Sequence, residues 1–248
     1  MKTALFADVH SNLEALRACL AHAERSAAED FVFLGDLVGY GADPEACIEC
    51  VAELVRRGVA AAVLGNHDAA VVSGWCGDMN IGAREAVYWT REHLSPGRAG
   101  FLQSLPLSVR AGECLYVHAS PHAPRAWNYV TGSDAAAEGF AASDARLIFV
   151  GHVHHQILYH SVSHGASRPF VPVAGEPIEL AAPRRWLAIA GSVGQQRDGS
   201  SAAAYALLDH ANATLTFHRV PYDHATASAK RIAAGLDTRW DLLAGIGT

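Results

Sequence analysis

Short apolar runs that end in a polar side chain recur along this sequence. Residues 31–34, Phe-Val-Phe-Leu, are followed by Gly35 and Asp36. A short unbroken apolar run closed by glycine predicts a strand that is buried on both faces. Asp36 then falls at the carboxyl end of that strand, which is the edge of an open α/β sheet where ligands bind. Further runs end in the same way at residues 3–7, 60–64, 115–117 and 147–151.

Helical patterns connect the first three of these runs. Ser11 followed by Glu14 is a capping-box pattern, which predicts a helix start directly after the first strand. Asp43 as N-cap, Pro44 in the first turn and Gly58 beyond the end indicate a second helix. Alternation of strands and helices favours a parallel sheet built through right-handed crossovers, so the first third of the chain is predicted to be α/β.

The remainder of the chain predicts shorter strands. Residues 107–110 and 113–117 have the pattern of a hairpin. From Gln156 onward apolar stretches alternate with turns, which indicates a mostly antiparallel second half and a closing helix. The predicted strands cover residues 147–150, 157–160, 170–173, 177–180, 186–190, 203–208 and 214–219, and the predicted helices cover residues 134–142 and 225–234. Two mixed sheets with flanking helices would make an α/β (α+β) fold, a four-layer α-β-β-α sandwich, in a single domain over residues 1–248.

Residues 71–100 interrupt this pattern and form a predicted insertion. Residues 71–80 lack periodicity and predict a loop, whereas residues 81–94 predict a helix that Pro96 stops. The insertion could form a lid over a site at the strand ends. The alternative is that its aromatic side chains, Trp75, Tyr88 and Trp89, pack against the core.

Composition narrows the class of protein. Of the 248 residues, 50% are hydrophobic and 18% are charged, which is typical of a globular chain rather than a disordered one. The net charge of −6 argues against a dedicated nucleic-acid-binding surface. No apolar run has the length of a membrane span, and the first one stops at Asp8, so we expect no membrane partner and a cytoplasmic location.

The cysteines predict free thiols. There are five of them at irregular spacing, which disfavours a disulfide framework. Cys47 and Cys50 form a C-x-x-C pair, but with Val51 and Leu54 they lie on the apolar face of the second predicted helix. Core packing is therefore favoured over redox chemistry or zinc binding.

The polar residues at the strand ends have the chemistry of metal ligands. Taken singly, each residue could instead have an ordinary structural role, as a capping carboxylate or a structural histidine. Together they supply carboxylate, imidazole and amide-oxygen donors, which suit Mn, Fe, Zn or Ni. Because thiolates are absent from the set, it does not resemble a structural zinc site, where cysteine predominates. The candidates are Asp8, His10, Asp36, Asn66, His118, His152 and His154.

These residues also carry a resemblance to the calcineurin-like metallophosphoesterases. The motifs are Asp8-x-His10, Gly35-Asp36-x-x-Gly39, Gly65-Asn66-His67-Asp68, His118 and Gly151-His152-x-His154, in order across roughly the first two-thirds of the chain. The resemblance implies two divalent metal ions, one held by Asp8, His10, Asp36 and His154, and the other by Asp36, Asn66, His118 and His152. It further implies that His67 is not a ligand but the acid that protonates the leaving oxygen.

One difference from the motifs of the superfamily indicates which of its subgroups this chain resembles. Protein serine/threonine phosphatases of this superfamily follow the aspartate motif with Asp-Arg-Gly, whereas this chain has Val38-Gly39-Tyr40-Gly41, which counts against a protein phosphatase. Residues 117–121 and 191–199 instead resemble small prokaryotic phosphodiesterases and diadenosine-tetraphosphatase-like members.

The predicted function is dinuclear-metal-dependent hydrolysis of phosphodiesters or phosphomonoesters, with a small phosphate ester, including a nucleotide, as substrate. Dinucleoside polyphosphate hydrolysis is one alternative, and a catalytically silent metal-binding scaffold is another. Outside the ligands, Arg197 is a candidate phosphate contact, with a solvated arginine as the alternative. Asp68 and Ser120 are candidates to orient ligands, and Trp127 and Tyr129 could stack on a base or pack in the core.

Overall fold

Two six-stranded mixed sheets form the centre of the molecule. The computed structural model describes residues 1–77, 79–162 and 165–236, so residues 237–248 of the predicted domain lie outside the described residues. The strands are β1 Lys2–Phe6, β2 Asp30–Phe33, β3 Ala60–Ala62, β4 Ser108–Ala111, β5 Cys114–Val117, β6 Leu147–Val150, β7 Gln156–Ser161, β8 Ser167–Phe170, β9 Pro177–Glu179, β10 Trp186–Ala190, β11 Ala203–Asp209 and β12 Thr214–Val220. The helices are α1 Leu13–Arg25, α2 Pro44–Arg56, α3 Asn66–Ser73, α4 Ile81–Glu92, α5 Pro96–Ser104, α6 Ser133–Ala141 and α7 His224–Ala233.

The two sheets do not follow the two halves of the sequence. The first has the order β3-β2-β1-β11-β12-β9 and the second has the order β4-β5-β6-β10-β7-β8. The prediction of two mixed sheets is confirmed. The prediction of a mostly antiparallel arrangement after Gln156 is confirmed, because among the described strands of that part only β10 has a parallel partner, β6. These strands do not form one sheet, however: β9, β11 and β12 join the first sheet, where β11 pairs with β1 and is buried along six of its seven residues.

Alternation of side chains along each strand builds the layers. In β1, Leu5 belongs to the apolar core between the sheets, whereas Ala4 and Phe6 belong to the core beneath the outer helices. In β11, Ala206 faces the inner core and Tyr205 faces the helices. A third cluster lies beneath α6 on the far side of the second sheet. The four-layer sandwich is confirmed.

The first helix begins one residue later than the capping-box pattern predicts. Asn12 is the N-cap and its side chain accepts a hydrogen bond from the Ala15 amide at 3.1 Å. Glu14 does not complete a box with Ser11, because its carboxylate is bound by Lys230 of α7. The start of α2 is as predicted, with Asp43 as N-cap before Pro44.

The insertion is more helical than its composition predicts. The loop predicted from residue 71 starts only after α3 ends at Ser73, while the helix predicted from residue 81 is confirmed as α4. Trp75 and Tyr88 are 75% and 54% exposed, so the expectation that they pack in the core is wrong, whereas Trp89 packs beside Tyr40. A lid remains a prediction.

Three further predictions concern single features. The strand predicted at residues 170–173 is misplaced, because β8 ends at Phe170. All five cysteines are free thiols, as expected. Within the described ranges, the longest and most apolar helices fall short of what a membrane crossing requires.

Candidate metal centre

The strand ends of both sheets meet at one rim. Parallel strands β1, β2 and β3 of the first sheet and β5 and β6 of the second all present their carboxyl ends there. All seven candidate ligands follow these strands, and all except the half-buried Asn66 are buried. The fold therefore gathers donors from distant parts of the sequence into one cluster.

One group of donors consists of Asp8, His10 and His154. Their ligand atoms lie within 4.8 Å of one another. Nε2 of His10 lies 3.3 Å from Nε2 of His154, which in turn lies 3.4 Å from Oδ1 of Asp8. Nδ1 of His10 donates to the Val38 carbonyl at 3.1 Å, and Nδ1 of His154 donates to the Gln195 carbonyl. Since a carbonyl only accepts, both Nε2 atoms are left with lone pairs that point at each other.

A second group consists of Asp36, Asn66, His118 and His152. Nδ1 of His118 donates to the Leu34 carbonyl at 2.7 Å, which leaves Nε2 facing the other three side chains. That Nε2 lies 3.0 Å from Oδ1 of Asn66, 3.2 Å from Nδ1 of His152 and 3.4 Å from Oδ2 of Asp36. Two oxygens and two ring nitrogens thus converge around one point.

Asp36 lies between the two groups. Its Oδ2 is 3.8 Å from Nε2 of His10 and 3.4 Å from Nε2 of His118. Its Oδ1 accepts a hydrogen bond from the His67 amide at 2.8 Å, which fixes the plane of the carboxylate. One oxygen of Asp36 therefore faces both groups of imidazoles.

Burial and neighbouring charge set the protonation of this cluster. Burial lowers the pKa of His10 and His154 well below the ordinary value and lowers that of His152 to about 3, so these imidazoles are neutral near pH 7. Burial opposes the charged forms of Asp36 and His118 too, but the attraction between their opposite charges is stronger. This attraction raises the pKa of His118 to about 9 and holds that of Asp36 well below its usual range.

These observations fit divalent cations. Lone pairs of the neutral imidazoles His10, His152 and His154 converge with carboxylate oxygens, and close acceptors of this kind need positive charge to remain together. The raised pKa of His118 supplies such a charge as a proton on Nε2, which a bound cation would replace. The donor set lacks thiolate and suits Mn, Fe, Zn or Ni.

His67 and Asp68 follow Asn66 at the start of α3. A nitrogen of His67 lies within 4.8 Å of donor atoms of His10 and Asp36, so distance alone does not separate it from the ligands. Its Nδ1 is buried and has no hydrogen-bond partner in the described part of the chain, and burial lowers its pKa to about 4. Among the hydrogen bonds of the described residues, Asp68 makes none to a candidate ligand side chain. Instead its carboxylate accepts from the amides of Val38 and Gly65 at 3.2 and 3.0 Å, which ties together two ligand-bearing loops.

The loop after β10 brings Arg197 to the centre. Its guanidinium is exposed and donates to Oε1 of Gln195 at 2.8 Å. Burial raises the pKa of Asp8 to about 7, and the charge of Arg197 opposes that rise. For His154 burial and the charge of Arg197 act together and lower the pKa. Ser192 of the same loop donates to the Asp8 carbonyl at 2.9 Å. Arg197 was a sequence candidate, whereas Ser192 and the carbonyl of Gln195 were not, because such backbone partners have no sequence pattern.

The segment after His118 adds aromatic side chains. Tyr129 is half exposed and stacks on His152 with ring centroids 3.9 Å apart, and Trp127 meets His118 edge-on at 6.0 Å. Core packing is therefore the wrong expectation for Tyr129. Ser120 accepts from the His122 amide and bonds no ligand side chain among the described contacts, so it stabilises its own loop.

Sequence reasoning missed Tyr40. This side chain is 8% exposed and its ring centroid lies 4.8 Å from that of His10 and 4.6 Å from that of His67. The signal was available, because Tyr40 occupies the place where the protein phosphatases have arginine.

A four-layer sandwich with nitrogen and oxygen donors at its strand ends defines a class of metal-binding phosphoesterases. The calcineurin-like phosphoesterase superfamily domain matches residues 1–213. A metallophosphoesterase from Sphaerobacter thermophilus shares 37% sequence identity, with 99% of each chain covered and a TM-score of 0.86. The chain belongs to the calcineurin-like phosphoesterase superfamily.

Two archaeal proteins are also similar to this chain. An uncharacterized protein from Methanocaldococcus jannaschii is 34% identical over 232 residues, which cover 92% of this chain and 90% of the relative. The crystal structure of a hypothetical protein from Pyrococcus horikoshii shares the fold at 16% identity, with a TM-score of 0.79 over 100% of this chain and 99% of that one.

Proposed function

We propose that this protein is a dinuclear-metal-dependent phosphoesterase that hydrolyses phosphodiesters or phosphomonoesters. The observation that supports two ions rather than one is the position of Asp36 Oδ2 between two groups of imidazole lone pairs. Family membership supports phosphoester hydrolysis as the reaction class.

The ligand assignment follows the two groups. Asp8, His10, Asp36 and His154 hold one ion, and Asp36, Asn66, His118 and His152 hold the other. When bound, two divalent ions supply a water of lowered pKa and neutralise charge on the phosphate. The carbonyls of Leu34, Val38 and Gln195 keep the imidazoles in the tautomer that presents a lone pair to an ion.

His67 is the proposed proton donor. Its Nδ1 lies against the backbone at Gly39, which leaves Nε2 as the atom available to a leaving oxygen. A bound phosphate would place negative charge beside His67 and favour its protonated form, from which Nε2 could give up a proton. This transfer helps most when the leaving alkoxide is strongly basic. Arg197 is the proposed phosphate contact, and Asp68 holds the loops that carry Asp36 and Asn66.

The substrate is a small phosphate ester. Half-exposed Tyr129 beside His152 favours an ester with an aromatic base, so a dinucleoside polyphosphate is the second candidate. We place the protein in the cytoplasm, where free thiols persist. The helices of residues 71–100 are proposed as a lid within a single domain.

The proton-donor role has a direct test. His67→Ala should slow hydrolysis of an alkyl phosphate ester by about 10²–10⁴-fold, because its leaving alkoxide needs a proton. A nitrophenyl ester should be slowed much less, since its phenolate leaves unprotonated. Steady-state kinetics with Mn²⁺ on both esters, with metal content measured in parallel, provides the comparison.

Two results would count against this function. Equal slowing of both esters, or loss of metal from the variant, would make His67 a ligand or a structural residue instead. Wild-type protein that binds metal but hydrolyses no diester, monoester or dinucleoside polyphosphate would favour the scaffold.

A further inference from the structure

Tyr40 lies between His67, the candidate proton donor, and helix α4. It follows Gly39 in the loop after β2, and it adopts a positive φ of 58°. Behind it, α4 packs its small side chains Ala83 and Ala86 against the ring. A non-glycine residue is strained in this conformation and is kept there only where its surroundings hold it.

The imidazole of His67 has no hydrogen bond to its Nδ1 among the described residues, so contacts set its orientation. A Cβ on Gly39, which has a φ of +93°, would lie 2.5 Å from Nδ1, so the backbone there already touches the ring. The ring of Tyr40 packs on it at 4.6 Å, and His10 meets it edge-on at 4.9 Å. Gly39 and Tyr40 therefore take the place of a hydrogen-bonding partner.

The hydroxyl of Tyr40 makes a second contact. Burial raises the pKa of this hydroxyl to about 12, and the neighbouring guanidinium of Arg197 opposes that rise by its charge and by a side-chain hydrogen bond. Arg197 is otherwise exposed and held by Gln195 of its own loop. The hydroxyl thus connects the arginine to the buried wall of the site.

We propose that Tyr40 is a positioning residue with two separable roles, in which its ring orients His67 and its hydroxyl orients Arg197 toward the substrate phosphate. This inference rests on the proposed function and extends it. In a chain that lacks the arginine of the protein phosphatases at this position, the tyrosine supports an arginine from a different loop.

Paired substitutions separate the ring from the hydroxyl. Tyr40→Leu removes both, whereas Tyr40→Phe keeps the ring. We expect Tyr40→Leu to slow the alkyl ester at least about tenfold more than the nitrophenyl ester, and Tyr40→Phe to leave that ratio unchanged. In a His67→Ala background, Tyr40→Leu should add no further selectivity. The role of the ring would be overturned if Tyr40→Leu still slowed the alkyl ester more than the nitrophenyl ester in the His67→Ala background. It would also be overturned if Tyr40→Phe showed the same preference.

The hydroxyl is tested by binding of inorganic phosphate to the metal-loaded protein. Arg197→Gln and Tyr40→Phe should each weaken binding, Tyr40→Phe by about three- to tenfold. The double variant should bind no more weakly than Arg197→Gln alone, because the hydroxyl acts through the guanidinium. Independent, multiplicative losses would overturn this role, as would unchanged binding in Tyr40→Phe.

A measurement without turnover separates this inference from the proposed function. The imidazole ¹⁵N signals of His67 should shift or broaden in Tyr40→Leu and remain unchanged in Tyr40→Phe and in the control Tyr88→Leu, which alters an exposed ring on α4. If the wild type hydrolyses no ester, the proposed function fails, yet these spectra and the phosphate binding still decide on Tyr40. Unchanged His67 signals in Tyr40→Leu would refute the positioning of His67.

Discussion

Five of the seven candidate ligands have positive φ angles between 48° and 68°, namely Asp8, His10, Asp36, His152 and His154. For a non-glycine residue this conformation costs about 1–3 kcal/mol. Neighbouring contacts offset the cost, as when the His152 amide donates to the Asp8 carboxylate at 2.9 Å. Such concentrated strain is typical of a site whose geometry matters more than its stability.

The close approach of Gly65 to Asp36 gives a prediction at this scale. A Cβ on Gly65 would lie 2.1 Å from Oδ1 of Asp36, so Gly65→Ala must displace the carboxylate. We expect about 10–100-fold weaker metal binding, measured by titration of the metal-free protein. Gly100→Ala is the matched control, since its Cβ would meet nothing within 4 Å. Unchanged affinity in Gly65→Ala would contradict the placement of Asp36.

The seven donors could be predicted from the sequence because each follows a short apolar strand. Their orientation could not, because it depends on the carbonyls of Leu34, Val38 and Gln195, and every residue has a carbonyl. The position of Tyr40 in the aspartate motif could be noted from the sequence, but its contacts with His10 and His67 could not, because only the fold creates them.

At the scale of elements, α1 is fixed to the first sheet by a polar contact within an apolar layer. His22 bonds the Tyr205 hydroxyl at 2.8 Å, and His218 of β12 stacks on Tyr205 with ring centroids 4.9 Å apart. Burial, with smaller contributions from the charges of His22 and Lys2, lowers the pKa of His218 to about 4. His22 also has a pKa lowered by burial.

This cluster predicts a pH dependence of stability. The unfolded chain protonates His218 near its ordinary pKa of 6.5, whereas the folded protein does so only near pH 4. Its contribution is therefore complete above about pH 6.5 and is lost as the pH falls toward 4. In His218→Phe, which keeps a stacked ring, the free energy of unfolding should fall less steeply over that range in denaturant titrations. Parallel pH profiles for wild type and variant would exclude His218 as a contributor.

Boundaries of elements were predictable where local chemistry decides them, as at Asp43 and Pro44 before α2. They were not predictable where a distant residue intervenes, as when Lys230 binds Glu14 and the cap of α1 moves to Asn12. Strand partners were the least predictable, because the alternation in β11 is compatible with either sheet and only the tertiary fold places it beside β1.

At the scale of the whole molecule, the centre joins the two sheets. Asp8, His10, Asp36 and Asn66 follow strands of the first sheet, and the three remaining histidines follow strands of the second. Bound ions would therefore cross-link the sheets at one rim. Ligand binding to the folded state alone stabilises it by about 2.7 kcal/mol at a hundredfold excess over Kd.

Metal removal should consequently loosen both sheets together. We expect chelation to lower the melting temperature and to increase hydrogen exchange in the loops after β1 and β2 and after β5 and β6 in parallel. Exchange in the distant β4–β5 turn serves as the internal control. Increased exchange in the loops of one sheet only would contradict a centre shared between the sheets.

The ratio of bound metal to protein tests the central claim most directly. Wild-type protein equilibrated with Mn²⁺ and analysed by elemental mass spectrometry should hold about two ions per chain, and Asp36→Asn should hold at most about one. A wild-type ratio of one, or an undiminished ratio in Asp36→Asn, would contradict a paired centre bridged by Asp36.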